Sequence, residues 1–365
     1  MTAACAAPAA TLPMEIRTTI NGVSAKPIIQ TFLDKQVVGL SSSVPAQQTI
    51  AREAIAAEVV PPVNPADPPL SPVFLDLYAG ILNDDLMPLG KNPDPRVRLN
   101  AAIVAAKVAA KAGNVRLEPL VSDLLADQSD AVVLWAVKAC KFLLPQILAN
   151  AVMAPNDQLM TTFLKTVQQH GKSAPIVHAA YDALRVDSTT VPPAAWNQVV
   201  PATVTAAQTL LENRISAYHA SIPPQPGDDA IATTFLSDAQ IWQAQSKDQQ
   251  LRSVQDISDL LSVVAQRWEN ATPGERLDLA KLTKDAGGAV WVVGQNTGNA
   301  DLQRAEEQLK VAPSMSSAQV SAQVEAIRTA IKSVPDFSGL KDAPALEPIA
   351  TSSPATSEPS SPSTP

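Results

Sequence analysis

The chain has 365 residues, with 32 Pro, 13 Gly, 46% apolar and only 4% aromatic residues. Its net charge of −8 removes the basic footprint that nucleic-acid binding normally needs, and three His and two Cys leave little material for a zinc site. A Gly-poor, aromatic-poor chain in which alanine supplies much of the apolar share packs helices closely and does not suit a β-sandwich, so an all-α fold is expected.

The N-terminus, Met1 to Ala10, resembles the small-residue end of a signal peptide without the charged and apolar regions that precede one. Two readings stand. Residues 1–26 are a disordered Ala-rich leader of a cytoplasmic protein, or the true start lies upstream of Met1 and the protein is exported to the periplasm. In the second reading Cys5 is a candidate lipid-attachment residue, although Thr2 stands where such a site wants Leu. No run of about 18 uncharged apolar residues occurs, so no transmembrane segment is expected; Lys138 and Lys141 interrupt the most apolar stretch, Ala131–Leu144.

An N-terminal helix pair is expected within 27–60, over Ile28–Leu40 and Ala46–Val59. The Pro cluster of 61–72 reads as an extended polyproline linker. From 73 to 220 helical repeats are expected. Within Pro95–Lys111, Val97, Ala101, Val104, Ala105 and Val108 recur at helical spacing, and the opposite stripe carries Arg96, Asn100, Ile103, Lys107 and Lys111. Proline use then shifts: residues 1–226 hold 23 of the 32 Pro, whereas 227–334 hold only Pro273 and Pro313. Ser221–Asp229 is the corresponding linker or sharp turn, and 227–335 is expected to be a separate C-terminal helical module. Its helix starts are legible as capping boxes at Thr272/Glu275 and Ser316/Gln319. Gly288–Gly294 is the best strand candidate, but its flanks favour a helix end. The segment 342–365 holds six Ser, three Thr and six Pro, and is expected to be a disordered tail.

The chain repeats itself. Asn92–Ala102 aligns with Asp127–Val137 at an offset of 35, matching Val97 with Val132, Leu99 with Leu134 and Ala101 with Ala136. Gly171–Tyr181 is a more diverged copy with Ile176 and Ala180 at core positions. An apolar helix precedes each copy, at Val73–Leu86, Glu118–Ala126 and Asp157–Gln169, which gives three helix-turn-helix units and makes the N-terminal pair a candidate fourth. Asp94-Pro-Arg-Val-Arg-Leu-Asn-Ala-Ala102 resembles the second-helix signature of HEAT repeats, Asp-Pro-x-Val-Arg-x-x-Ala-Ala. In the second copy Val133 replaces the Arg, and Ser129-Asp130 replaces Asp-Pro. The resemblance covers about residues 70–187. It implies a short α-solenoid, with Arg98 pairing with Asp127 or Asp130 and the C-terminal helices packed on the end as a cap.

No His-Glu-x-x-His, Gly-x-Ser-x-Gly, phosphate loop or Cys-x-x-Cys is present. His178 reads as a structural histidine, Cys140 as a buried thiol, and Asp84-Asp85 and Asp228-Asp229 as helix-capping pairs. Solenoids of the resembled kind line their inner surface with the second helices. Equivalent outward positions there are Asn100, Trp135 and Ala179; Ile103, Lys138 and Asp182; and Lys107 and Phe142. Trp135 and Phe142 beside Lys138 and Lys141 make an aromatic and basic patch, unless the two rings wedge between repeats as core. Trp135, Lys138, Phe142, Arg96, Asn100 and Lys107 are thus the candidate binding residues. No catalytic, metal or cofactor residue is indicated. The expected role is a non-catalytic scaffold that presents a concave helical surface to a protein or peptide. An exported structural protein of the envelope is an alternative. An enzyme on the resembled scaffold, of the bilin-lyase kind, is a weaker one.

Overall fold

The computed structural model describes residues 11–19, 21–64, 66–112, 114–150, 158–343 and 345–346. Sixteen α-helices and five short 3-10 turns make up this part, and no strand occurs among the described residues. In order the helices are α1 (Met14–Arg17), α2 (Gly22–Leu40), α3 (Pro45–Ala57), α4 (Pro72–Gly90), α5 (Pro95–Ala112), α6 (Glu118–Leu125), α7 (Asp130–Ala149) and α8 (Gln158–Gln169). Then follow α9 (Ala174–Leu184), α10 (Trp196–Ala217), α11 (Asp229–Ser237), α12 (Ala239–Ala244), α13 (Lys247–Arg267), α14 (Pro273–Thr297), α15 (Ala305–Gln308) and α16 (Ser317–Lys332).

The helices stack in two rows. In one, α2, α4, α6, α8, α10, α13 and α16 pack each on the next; in the other, α3, α5, α7, α9, α11 and α14 do the same. The turns that join the rows are alike in the first four pairs. They span 41–44, 91–94, 126–129 and 170–173, four residues each. Local chemistry explains the likeness of the first three. Ser42, Asn92 and Asp127 occupy the same turn position, and the side chain of each accepts the N–H two residues on, from Val44 at 3.1 Å, Asp94 at 2.9 Å and Ser129 at 2.8 Å. Pro45, Pro95, Pro175 and Pro273 sit in the first turn of α3, α5, α9 and α14, where a missing N–H costs nothing. Arg98 reaches from α5 to the next turn: its Nη2 donates to Asp127 at 3.2 Å, and its Nη1 to the Asn92 carbonyl at 2.8 Å.

Hydrogen bonds tie each helix pair to the next. Tyr78 donates to the Ile55 carbonyl at 2.8 Å, Asn83 accepts the Leu120 N–H at 3.2 Å, and Thr166 donates to the Leu125 carbonyl at 3.1 Å. The core residues Val97, Ala101, Val104, Ala105 and Val108 are all buried, and one hydrophobic cluster runs from Leu12 to Phe337. The capping boxes at Thr272/Glu275 and Ser316/Gln319 are both formed, and a third stands at Ser246/Gln249. By length and composition α7 is apolar enough to cross a membrane, yet it carries Lys138 and Lys141 and packs between α5 and α9.

Several expectations need correction. Residues 11–19 and 21–26 are ordered rather than part of a disordered leader: Leu12 is buried, its N–H donates to Glu58 at 3.2 Å, and Arg17 donates to the Glu58 and Val60 carbonyls. Residues 1–10, with Cys5, lie outside the described residues. The segment 61–72 does not separate two bodies, because α2 packs on α4 and α3 on α5 across it. The break at 221–229 is the connection inside a fifth helix pair, α10 with α11, rather than a domain boundary. Buried Asp229 explains the tightness of this join. It accepts from Arg214 Nε at 3.0 Å, Tyr181 at 2.7 Å and Tyr218 at 3.1 Å, so it is a tie between pairs and not the helix cap expected of it. Gly288–Gly294 lies well inside α14. The tail expected from 342 lies mostly outside the described residues. Its described start is attached, since Asp342 pairs with Lys332 and the Leu346 N–H donates to Gln266 at 2.7 Å.

Candidate functional site

The side chains of α5, α7 and α9 that point away from the first row leave a hollow of about 300 Å³. Small residues make the room. Ala106 and Ala110 of α5 and Ala179 of α9 floor it, while Trp135 and Phe142 of α7 stand half-buried on its walls. Both rings also pack against the core. Neither is wholly wedge nor wholly free surface: each has one side on the core and one on the hollow.

Lysines rim the hollow. Lys138 lies over the Trp135 ring, its Nζ 4.5 Å from the centroid, and makes no ion pair among the described residues. That arrangement holds a cation beside an aromatic face with little loss of hydration. Lys141 pairs with Asp182 at 2.8 Å and ties α7 to α9, and Lys107 pairs with Glu53 of α3. Four of the six candidate residues, Trp135, Lys138, Phe142 and Lys107, therefore meet at one place. The other two do not. Arg96 lies exposed at the start of α5 and pairs with Asp94 of its own turn at 2.9 Å. Asn100 is a correction: at 2% exposure it is buried, where it donates to the Leu40 carbonyl at 2.8 Å and accepts from Arg52. Helical spacing put Asn100 on the stripe of Lys107, but the packing of α3 against α5 covers that end of it.

The remaining titratable groups show no catalytic arrangement among the described residues. His170 bonds Asp130 at 2.8 Å. His178 is exposed and bonds Asp228 at 3.0 Å, rather than packing in the core of its repeat. Burial pushes the Cys140 thiol well up, which removes it as a nucleophile. Burial, with Glu212 next, pushes the Asp256 carboxyl up to about 8. No cluster of three or more potential metal ligands exists among the described residues.

Further hollows escaped sequence reasoning, among them one of about 780 Å³ between α4 and α6 and one of about 540 Å³ between α11 and α14. Another of about 220 Å³ continues past Phe142, Pro145 and Arg185, and a cleft of about 470 Å³ lies between α9 and α14, with Trp196 and Lys281 on its walls. Their residues come from elements far apart in the chain, so no local pattern joins them. Of the alanines flooring the first hollow, the repeat alignment marks Ala179 as outward, and no local pattern singles out Ala106 or Ala110.

No family model matches the chain, and no curated protein matches it. Solved structures do match. One, a crystal structure described as an engineered protein, is 11% identical over 88% of this chain and 98% of its own, with a TM-score of 0.20, which supports neither a fold assignment nor a function.

Proposed function

We propose that this chain is a HEAT-like α-solenoid working as a non-catalytic interaction scaffold, and that a protein or peptide partner docks at the Trp135 hollow. Three structural features support the solenoid part: the four equal turns, the repeated Ser42, Asn92 and Asp127 devices, and the tie from Arg98 to the next turn. One observation carries the docking part. The hollow combines two half-buried aromatic rings, a small-residue floor and an unpaired lysine, on a face no other described element covers. Aromatic anchors in such pockets supply much of the binding energy at protein interfaces.

The test is affinity capture from native cells with the wild-type chain and with Trp135→Ala. Partners specific to the wild type are expected to be lost, through a weakening of about 2 kcal/mol, or roughly 30-fold. The variant keeps most of its stability, because a half-buried ring loses less than the about 3–5 kcal/mol of a buried one. An identical set of captured proteins at matched stability contradicts the reading.

A further inference from the structure

After α16 the chain turns back along α13. Val334 and Phe337 are buried, and the Phe337 ring meets Trp242 edge to face at 6.3 Å. Beyond this anchor there is no further helix among the described residues. Gly339 passes over Leu251, since a Cβ placed on it would lie 3.7 Å from the Leu251 Cδ2. Lys341 is then held through its backbone by a single side-chain amide. Its N–H donates to Gln255 Oε1 at 2.8 Å, and its carbonyl accepts from Gln255 Nε2 at 3.2 Å. The Leu346 N–H donates to Gln266 Oε1 at 2.7 Å.

These contacts fall in register. Leu251, Gln255 and Gln266 share one stripe of α13 with Asp259 and Ser262. From Leu251 to Gln266 is about 22 Å of helix, at about 1.5 Å per residue. From Gly339 to Leu346 is about 23 Å of fully extended chain, at about 3.3 Å per residue. The segment therefore runs extended and parallel to α13. Both amides that hold it are themselves oriented by a neighbour about one turn away: Gln255 donates to Asp259 at 2.8 Å, and Gln266 to Ser262 at 3.1 Å.

Side chains add selectivity to this backbone hold. Leu340 and Leu346 are half-buried against the core. Asp342 meets Lys332 of α16, and that bond, with the Arg328 guanidinium behind it, holds the Asp342 carboxyl below the usual carboxylate range. Arg328 is buried, and its Nη2 has no hydrogen-bond partner among the described residues. The corner around Asp342 thus carries an unsatisfied cationic donor. The segment is nonetheless lightly held. Lys341, Asp342 and Ala345 are exposed, and the pair with Lys332 lies at the surface. Chain held in this way opens locally while the core beneath stays folded.

We infer that this stripe of α13 is a peptide site, occupied by the chain's own residues 339–343 and 345–346 as a tethered ligand, and that a partner bearing an extended segment of the same chemistry displaces them. The partner segment is gripped through its backbone by Gln255 and Gln266. Its selectivity comes from leucines at the two ends and from a carboxylate at the Lys332 and Arg328 corner. The tether supplies the cis segment at an effective concentration of about 1 mM, which closes the site to weak competitors. The site lies on the first row of helices, so it stands independently of the Trp135 hollow on the second.

The probe is the fluorescein-labelled peptide with the sequence from Ser338 to Leu346, beside a second in which both leucines are serine. Fluorescence polarisation is measured on the full chain and on Leu340→Ser/Asp342→Lys/Leu346→Ser, whose own segment no longer seats. A third protein adds Gln255→Ala/Gln266→Ala to that variant. The segment variant is expected to bind the probe at least about tenfold tighter than the wild type, because no tethered copy competes. The added Gln changes, or the serine probe, should each cost at least about tenfold. Equal binding by the wild type and the segment variant overturns the inference. So does indifference to the Gln changes, or no binding to the folded segment variant at about 1 mM. Native-state hydrogen exchange on the wild type decides the matter if a variant unfolds. The Lys341 and Leu346 amides are expected to exchange at least about 100-fold faster than those of Leu260 and Leu261, which are buried in α13. Equal rates would mean that the segment leaves only on global unfolding, which overturns the inference. Dimerisation of the wild type that the segment variant lacks would make the displacing ligand a second copy, and overturns it too.

Discussion

At the scale of single residues, two buried carboxylates, both pushed up by burial, differ in how they are satisfied. Asp229 has three donors, one of them the Arg214 guanidinium, which itself also donates to the Gly171 carbonyl at 2.9 Å. Asp229→Ala leaves that guanidinium buried without its counter-charge and is expected to cost about 3–5 kcal/mol, read as a fall in the urea midpoint. Asp256 is 3% exposed, and one of its carboxylate oxygens has no hydrogen-bond partner. Folded, it holds its proton up to about pH 8, whereas the unfolded carboxyl releases it near ~4. The folded state thus binds more protons between these values, and stability from this group falls as pH rises, by at most about 1.4 kcal/mol per pH unit. Asp256→Asn should raise the melting temperature at pH 9 and change it little at pH 4. An equal effect at both pH values would show that Asp256 does not titrate in this window. Neither role was legible in the sequence. The pair Asp228-Asp229 looked like a cap because adjacent carboxylates beside a turn usually are, and only the folding back of Tyr181 and Tyr218 reveals the tie.

At the scale of elements, helix starts were legible because capping is local. Thr272, Ser316 and the Pro-led starts of α5 and α14 follow from a few adjacent residues. Helix interiors with glycine were harder, and α14 shows why. A Cβ on Gly294 would come within 2.7 Å of the Gln303 N and 2.8 Å of the Leu302 Cβ, so glycine there permits the close return of the chain after α14. Gly288, two turns earlier, has open space around it. Gly294→Ala is therefore expected to destabilise by about 1–3 kcal/mol through overpacking, while Gly288→Ala should stabilise by up to about 1 kcal/mol through helix propensity. Thermal melting of the two variants checks the opposite signs. The stripe that misplaced Asn100 fails for a related reason. Periodicity gives a face but not how far along the helix a neighbour extends, and α3 reaches Asn100 but stops short of Trp135.

At the scale of the whole molecule, the sequence showed three repeat units, with the N-terminal pair a candidate fourth, and set 227–335 apart as a separate module. The two rows continue through α10, α11, α13 and α14, with α16 as the last helix of its row. The signature that marks the early pairs is absent from the later ones, so only packing exposes their kinship. One continuous core also means that cutting the chain in the 221–228 connection should not yield two folded halves. Each fragment is expected to show lower helicity by circular dichroism and broad unfolding, and a cooperative, full-helicity fragment 227–346 would restore the two-module reading.

The scaffold account depends on the face of α5, α7 and α9 being the one that meets a partner. The most direct test is site-specific photo-crosslinking in native extract, with benzoylphenylalanine placed at Lys138, or at Lys165, which is exposed on α8 in the other row. A discrete covalent adduct is expected from position 138 and not from position 165. Adducts of equal yield at both positions, or none at 138, would contradict the assignment of that face.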